Sequence, residues 1–537
     1  MPGVLTKVTD TVGAARVMIR SGLVPFPRLD RGLASIRAVG KYGPFAGAIH
    51  AHAAHGLDAV AIVDERGQLT YTDLEQQSNA LVRAWSADGI TPGSVMGAMC
   101  RNHRGLVLTM LAAAKLGAKL VLMNTGFAPP QLVDVAAREQ VGAFVYDEEF
   151  EAVAAALPPE VRLYLSWGED SSGRAANLDD LRAGRRTDAV PVPAVYGSFV
   201  LLTSGTTGTP KGAPREHTSP LASAQFLDRV PLRRAQTMVM AAPAFHGTGL
   251  SQFALALALG QTVVMQRRFD PEQALALTAD NRADVLVVVP TMLQRIIDLG
   301  PEILPRYDTT NLKVIFAAGS ALSPDLCRRT TETFGHVLHN LYGSTEVAVA
   351  TVATPADLAR APGTAGRAPV TCRVELFDDT GTRITEPGVV GRIFVSSGLS
   401  FNGYTDGRDK ERIDGLLSTG DVGHFDRDGL LFVDGRDDDM IVSGGENVYP
   451  LEVENLLADR PDVLDAAVIG VEDAEFGHRL RAFVVAAPDA THDAQALQSY
   501  VKEHLARYKV PRDIVFLDEL PRNATGKLLR RVLAEMD

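Results

Sequence analysis

Short apolar runs alternate with helical stretches along most of this chain. Residues 59–63 (AVAIV), 119–123 (KLVLM), 199–202 (FVLL), 237–242 (TMVMAA), 285–289 (VLVVV) and 314–317 (VIFA) are mostly apolar and only four to six residues long. Such runs suit strands buried on both faces and are too short for helices. Between them lie stretches of helical length, among them 104–116 and the apolar segment 250–259. Gly67 turns the first run into a second strand at 69–71, and Thr72 followed three residues later by Glu75 predicts a capped helix start. This alternation predicts α/β layers with largely parallel sheets. The last hundred or so residues repeat the pattern on a smaller scale, with helices at 450–457 and 497–506 and strands at 463–471 and 480–485.

At 537 residues the chain exceeds what one core organises, roughly 250–300 residues, so several domains are expected. An apolar fraction of 46% excludes a disordered protein, and a net charge of −12 excludes a general nucleic-acid binder. Cys100, Cys327 and Cys372 lie far apart without CxxC spacing, so they read as reduced thiols. The best membrane-span candidate, 106–123, is interrupted by Lys115 and Lys119, and the N-terminus lacks a secretory signal pattern. A cytoplasmic protein is therefore expected. Residues 1–41 depart from the acidic remainder. They hold Lys7, Arg16, Arg20, Arg28, Arg31, Arg37 and Lys41 against only Asp10 and Asp30, with Val4, Leu5, Val8, Val12, Val17, Met18 and Ile19 at partly helical spacing. The segment reads either as a helix docked on the body or as one peripheral to an anionic membrane.

Candidate chemistry collects at the ends of the predicted strands. After 199–202 come Thr203, Ser204, Gly205, Thr206, Thr207 and Gly208, then Lys211. Glycines let backbone N–H groups close round an anion, and four hydroxyls and a lysine add donors, so a polyphosphate is the natural ligand. Pro210 before and Gly212 after Lys211 exclude the Walker pattern. His246 follows 237–242 and precedes Gly247 and Gly249, where ligands of α/β sheets sit, although a structural histidine would fit the same spacing. Further on, Tyr342 offers a face for a base, Thr345 a hydroxyl for a phosphate and Glu346 a hard oxygen for magnesium. Asp421 has the carboxylate that could accept two ribose hydroxyls.

The string VLLTSGTTGTPKG (200–212) resembles the phosphate loop of the adenylate-forming, AMP-binding superfamily of acyl-CoA synthetases, peptide-synthetase adenylation domains and beetle luciferases. YGSTE (342–346) is similar to its YGxTE motif, PAFHGTG (243–249) to its PxFHxxG motif and PRNATGK (521–527) to its PxxxxGK motif, in the family's order from about Asp58 to Lys527. The resemblance implies a large N-terminal domain of layered α/β subdomains plus a β-rich subdomain, with a small mobile α+β C-terminal domain. It divides the chain into an extension at 1–57, an adenylation domain at 58–436 and a C-terminal domain at 437–537, hinged at Asp438.

The implied reaction joins a carboxylic acid to ATP as acyl-AMP and then passes the acyl group to CoA, with Mg2+ as cofactor. On this resemblance Lys527, Thr345, Glu346, His246 and Lys211 carry catalysis, and Lys527 enters the site during adenylation. Gly319, Ser320 and Ala321 lie against adenine and acyl chain. Asn340, Tyr342, Gly343, Ser344 and Thr345 hold the nucleotide, Asp421 and Arg436 the ribose, and Ser443, Gly444 and Gly445 border the CoA arm. Gly343 stands where acetate-specific members carry tryptophan, and with the apolar 250–259 helix it suggests a medium- to long-chain fatty acid. An aryl-CoA ligase, an acyl-AMP ligase loading a carrier protein and an inactive nucleotide-binding protein are the alternatives, and a homodimer is left open. Arg392 departs from the family's glutamate at that position.

Overall fold

The computed structural model describes residues 2–24, 29–56, 58–168, 175–203, 211–214, 223–401, 403–404, 409–443, 446–473, 477–488, 490–523 and 526–536. Ser204, Gly205, Thr206, Thr207 and Gly208 of the phosphate loop, and Gly444 and Gly445, lie outside the described residues.

Four sheets organise the described residues. In the eight-stranded sheet the strands run Thr351–Ala353, Leu338–Tyr342, Val314–Ala318, Val285–Val288, Thr237–Met240, Thr262–Met265, Val60–Asp64, Gly67–Thr70 across the sheet. Only the two outer pairings are antiparallel. The central strands Val285–Val288 and Val314–Ala318 are buried along their whole length, as continuous apolar runs require. From Thr237–Met240 the chain goes to Thr262–Met265 on one side and then returns to Val285–Val288 on the other. Strand order reverses there, which opens a crevice at the carboxyl ends of these strands.

The seven-stranded sheet is parallel except for its last pairing, in which Ser198–Thr203 and Lys211–Pro214 run antiparallel. An antiparallel six-stranded sheet spans residues 373–436, and a five-stranded sheet with helices Pro450–Ala458 and Ala494–His504 is built from 441 onward. The molecule is thus a large N-terminal α/β domain with mixed sheets and a smaller C-terminal α+β domain.

Ahead of the first strand lie helices Pro2–Ser21 and Leu29–Ala54, the second kinked at Gly43 before Pro44. Both dock on the body. Ala14, Val17 and Met18 are buried, and the Phe45 ring lies 5.0 Å from Phe199 and 6.0 Å from Phe253. Among the described residues no helix is long and apolar enough to cross a membrane.

The helix expected to be capped by Thr72 and Glu75 starts earlier, at Tyr71, and runs Tyr71–Ala87. Thr70 is its cap, and its hydroxyl accepts from the Asp73 N–H while the Asp73 carboxylate accepts from the Thr70 N–H at 2.8 Å. Glu75 is free for another task. Its carboxylate accepts from the buried Lys115 ammonium at 2.7 Å and lies 3.0 Å from His50 Nδ1. Ser78 Oγ and Asn79 Oδ1 take the remaining Lys115 protons at 2.8 Å each. Burial pushes the Glu75 pKa up, but His50 and Lys115 outweigh it and hold the acid at about 2; burial brings Lys115 down to about 8.

Removing one partner of a buried pair strands the other charge. Glu75→Gln should therefore cost about 3 kcal/mol in urea unfolding at pH 7. The folded pKa of Glu75 lies below the unfolded value of about 4.3. The wild-type advantage should accordingly stay flat from pH 7 to 5 and shrink as pH falls from about 4.5 towards 2. A constant difference down to pH 2.5 would contradict this account.

Candidate active site

The crevice at the strand ends is lined from three sides. After Thr237–Met240 the chain turns through 243–246, and His246 caps the helix Gly247–Ala258 by its backbone alone. A Cβ on Gly249 would lie 2.2 Å from the Pro243 carbonyl oxygen, so only glycine lets the helix start this close to the turn. Burial lowers the His246 pKa to about 4, which leaves a neutral imidazole at pH 7 whose buried Nε2 has no hydrogen-bond partner among the described residues.

Across the switch, Val314–Ala318 ends at Gly319, with φ of 104°, and Ser320. Thr248 Oγ1 and Val289 Cγ1 stand 3.5 and 3.6 Å from where a Gly319 Cβ would be, so the Gly319 turn closes on the helix start. Ser320 Oγ is buried and without a partner among the described residues, as is Oδ1 of Asn340, which sits opposite Ala317 in the neighbouring strand. Ala321 is exposed beside them. An unmet buried polar group costs about 1–3 kcal/mol. Three at one end of one sheet suit a polar ligand.

The third side joins this sheet to the antiparallel one. The Tyr342 hydroxyl donates to Asp421 Oδ2 at 2.6 Å, and Arg436, opposite Asp421 in the adjacent strand, donates to Oδ1 at 3.1 Å. Burial raises the Asp421 pKa, with Arg436 and Tyr342 opposing, and it holds Tyr342 firmly protonated. Asp421 and Asp438 keep Arg436 charged despite its burial, and Asp438 accepts from Arg436 Nε at 3.1 Å.

Gly343 is explained locally. A Cβ there would meet the Ala348 carbonyl oxygen at 2.0 Å. The missing side chain is thus demanded by the turn's own backbone, which removes it as a measure of acyl-chain length. In that turn, which also holds Thr345, Ser344 Oγ accepts the Glu346 and Val347 N–H groups at 3.2 and 3.3 Å. Burial pushes Glu346 up, but the Tyr404 hydroxyl, 2.6 Å from Oε1, and the Lys410 charge keep it ionised below its ordinary value. Lys410 donates to the Thr419 carbonyl at 2.8 Å. Tyr404 and Lys410 escape sequence reading because no motif surrounds them.

Thr203 pairs with Lys211 across the hairpin, so the backbone ties both flanks of the phosphate-loop segment together. Lys527 is exposed, in a turn closed by reciprocal bonds with Asn523 at 2.9 Å. The Arg522 guanidinium holds the start of this turn on Asp465 at 2.7 Å. A Cβ on Gly526, at φ of 75°, would lie 2.0 Å from Thr291 Oγ1, at the start of the helix Pro290–Ile297. The C-terminal domain thus lays the Lys527 turn against the crevice end of the large sheet. Ser443 is instead buried in the C-terminal sheet, opposite Glu446 and Gly477. Arg392 pairs with Glu411 and lies 3.7 Å from Asp437, next to the expected hinge.

Comparison with known proteins places this architecture. Residues 49–405 match the AMP-binding enzyme family and residues 452–527 its C-terminal domain. Indoleacetate–CoA ligase of Aromatoleum aromaticum is 32% identical over 89% of this chain and 95% of its own. Fatty acid–[acyl-carrier-protein] ligase ScoC of Streptomyces coeruleorubidus is 31% identical over 90% and 94%. The solved structure of o-succinylbenzoate CoA synthetase (MenE) from Bacillus subtilis, in complex with its acyl-adenylate intermediate, is 26% identical with a TM-score of 0.78, covering 90% of this chain and 97% of that one. The chain belongs to the AMP-binding enzymes and is an ATP-dependent ligase that activates a carboxylic acid as acyl-AMP and acyl-CoA.

Proposed function

We propose that the acid is ring-bearing, of the aryl or arylacetic class, and not a long-chain fatty acid. The likeness to ligases named for indoleacetate and o-succinylbenzoate supports this, and the local demand for Gly343 removes a main argument for a long chain. The observation that supports the activation chemistry is the contact of Gly526 with Thr291, next to Lys527 and at the carboxyl end of a strand whose neighbours in the sheet lead to His246 and Ser320.

In the first half-reaction a carboxylate oxygen bonds to the α-phosphorus of ATP as the bond to pyrophosphate breaks. Negative charge grows on the α-phosphate and the leaving group, so positioned cations and hydroxyls matter more than proton transfer. Lys527 serves the α-phosphate, Thr345, Thr203 and Lys211 the phosphate chain, Tyr342 the base, and Asp421 with Arg436 the ribose. His246 stays neutral and donates a hydrogen bond to the carboxylate without protonating the nucleophile. The ionised Glu346 fits magnesium, which takes one or two protein carboxylates with phosphate oxygens, and the ion would screen phosphate charge there.

Thioester formation has no use for Lys527. The C-terminal domain then turns about Asp438 and brings the segment from Ser443 to Glu446 to the acyl group. The likeness to ScoC favours a second acceptor, a carrier-protein thiol, which a holo-carrier protein tested beside CoA would reveal.

Pyrophosphate release should show its highest kcat/KM with a ring acid when indole-3-acetate, benzoates and straight-chain acids of two to eighteen carbons are compared. A straight-chain acid of eight or more carbons winning by over tenfold would overturn the acid class. Lys527→Ala should lower adenylate formation about 10²-fold or more. Acylation of CoA from preformed acyl-AMP should stay within about threefold, since Lys527 takes no part in thiol attack. Asp438→Pro should do the reverse in the same paired assays, and equal loss of both halves in either variant would rule out the domain rotation.

A further inference from the structure

Buried glutamines in this protein are bonded at one end or both, with a single exception among the described residues. Gln225 donates to Thr371 and accepts from Ser397, each at 2.9 Å. Gln236 accepts from the Arg233 N–H at 2.7 Å, Gln261 donates to the Arg233 carbonyl at 2.7 Å, and Gln266 donates to the Asp270 carbonyl at 3.2 Å. Gln252 is fully buried, and neither its Oε1 nor its Nε2 has a partner among the described residues. It lies in the helix Gly247–Ala258, whose other buried side chains are apolar.

The setting of that helix decides where the amide goes. Gly249 packs on Pro243 and, one turn on, Phe253 packs on Phe45, which fixes the rotation of the helix. Thr248 and Gln252 are likewise one turn apart and share a different face, and Thr248 Oγ1 meets the Gly319 turn. Helical side chains lean towards the N-terminus. The Gln252 amide therefore leans back along the face of Thr248, towards the Gly319 side of the crevice.

We propose, resting on the acid-activating reading of this crevice, that Gln252 is a specificity residue that hydrogen-bonds a polar group on the far end of the acid. A primary amide presents one planar acceptor and two donors, so it suits an indole N–H, a phenol or a keto oxygen. An apolar acid of the same shape would leave the amide buried and unpaired, and sites built to hydrogen-bond a substrate reject such analogues strongly. The polar member of a matched pair should win by tenfold or more.

The test compares kcat/KM for pyrophosphate release within three near-isosteric pairs: indole-3-acetate and 1-benzothiophene-3-acetate, 4-hydroxyphenylacetate and 4-methylphenylacetate, 4-acetylbenzoate and 4-isopropylbenzoate. Wild-type enzyme should prefer the polar member of at least one pair by tenfold or more, and Gln252→Leu and Gln252→Met should abolish or reverse that preference. Without substrate both variants should melt at or above the wild-type temperature, because an unpaired buried amide is replaced by an apolar group. No preference in any pair, a preference unchanged in both variants, or a lower melting temperature in both would overturn the role of Gln252 while leaving acid activation standing. Absence of pyrophosphate release with every acid, straight-chain acids included, would overturn acid activation and this inference with it.

Discussion

Parallel strands buried on both faces can be connected only by crossovers, and crossovers that leave one strand for opposite sides part the layers above its end. The strand Thr237–Met240 is where this happens, with Thr262–Met265 on one side and Val285–Val288 on the other. Everything else in the site is arranged round that opening. The His246 turn, the Gly319 turn and the start of Pro290–Ile297 each continue from the carboxyl end of one of three neighbouring strands. Glycine permits the close approaches there, Gly249 on the Pro243 carbonyl and Gly526 on the Thr291 side chain.

The crevice alone would offer neutral polar groups, His246 Nε2, Ser320 Oγ and Asn340 Oδ1, and no charge. Its chemistry comes from joining three separately folded layers. Tyr342 ties the large sheet to Asp421 of the antiparallel sheet, Arg436 and Asp438 run from that sheet towards the C-terminal domain, and Gly526 on Thr291 brings the C-terminal domain back to the strand ends. Charge is matched to the task at each point. Burial disfavours the charged form of both Glu346 and His246, and only Glu346 has partners that outweigh it. Glu346 therefore stays ionised and His246 stays neutral.

The N-terminal helices are structural neighbours of this site. Phe45 packs between Phe199, at the start of the phosphate-loop strand, and Phe253, on the helix that lines the crevice. The buried Lys115–Glu75–His50 cluster fastens the same N-terminal helix to the body beneath. An extension that carries a surplus of positive charge is thereby committed through its apolar face to the core of the large domain.

Sequence alone determined the alternation of strands and helices, because continuous apolar runs and helical spacing are local consequences of burial. It also singled out the candidate nucleotide-site residues, whose types are clustered within a few positions, as in the segment from Tyr342 to Glu346. It misplaced the cap, because Thr70 with Asp73 and Thr72 with Glu75 are equivalent strings, and only the buried Lys115 decides that Glu75 faces inward. It read Gly343 as pocket space, whereas the Ala348 carbonyl pressed against that position is a contact no spacing rule shows. Tyr404, Lys410, Thr291 and Gln252 were legible only in three dimensions. What each does depends on a partner, or the lack of one, that chain folding alone brings into reach.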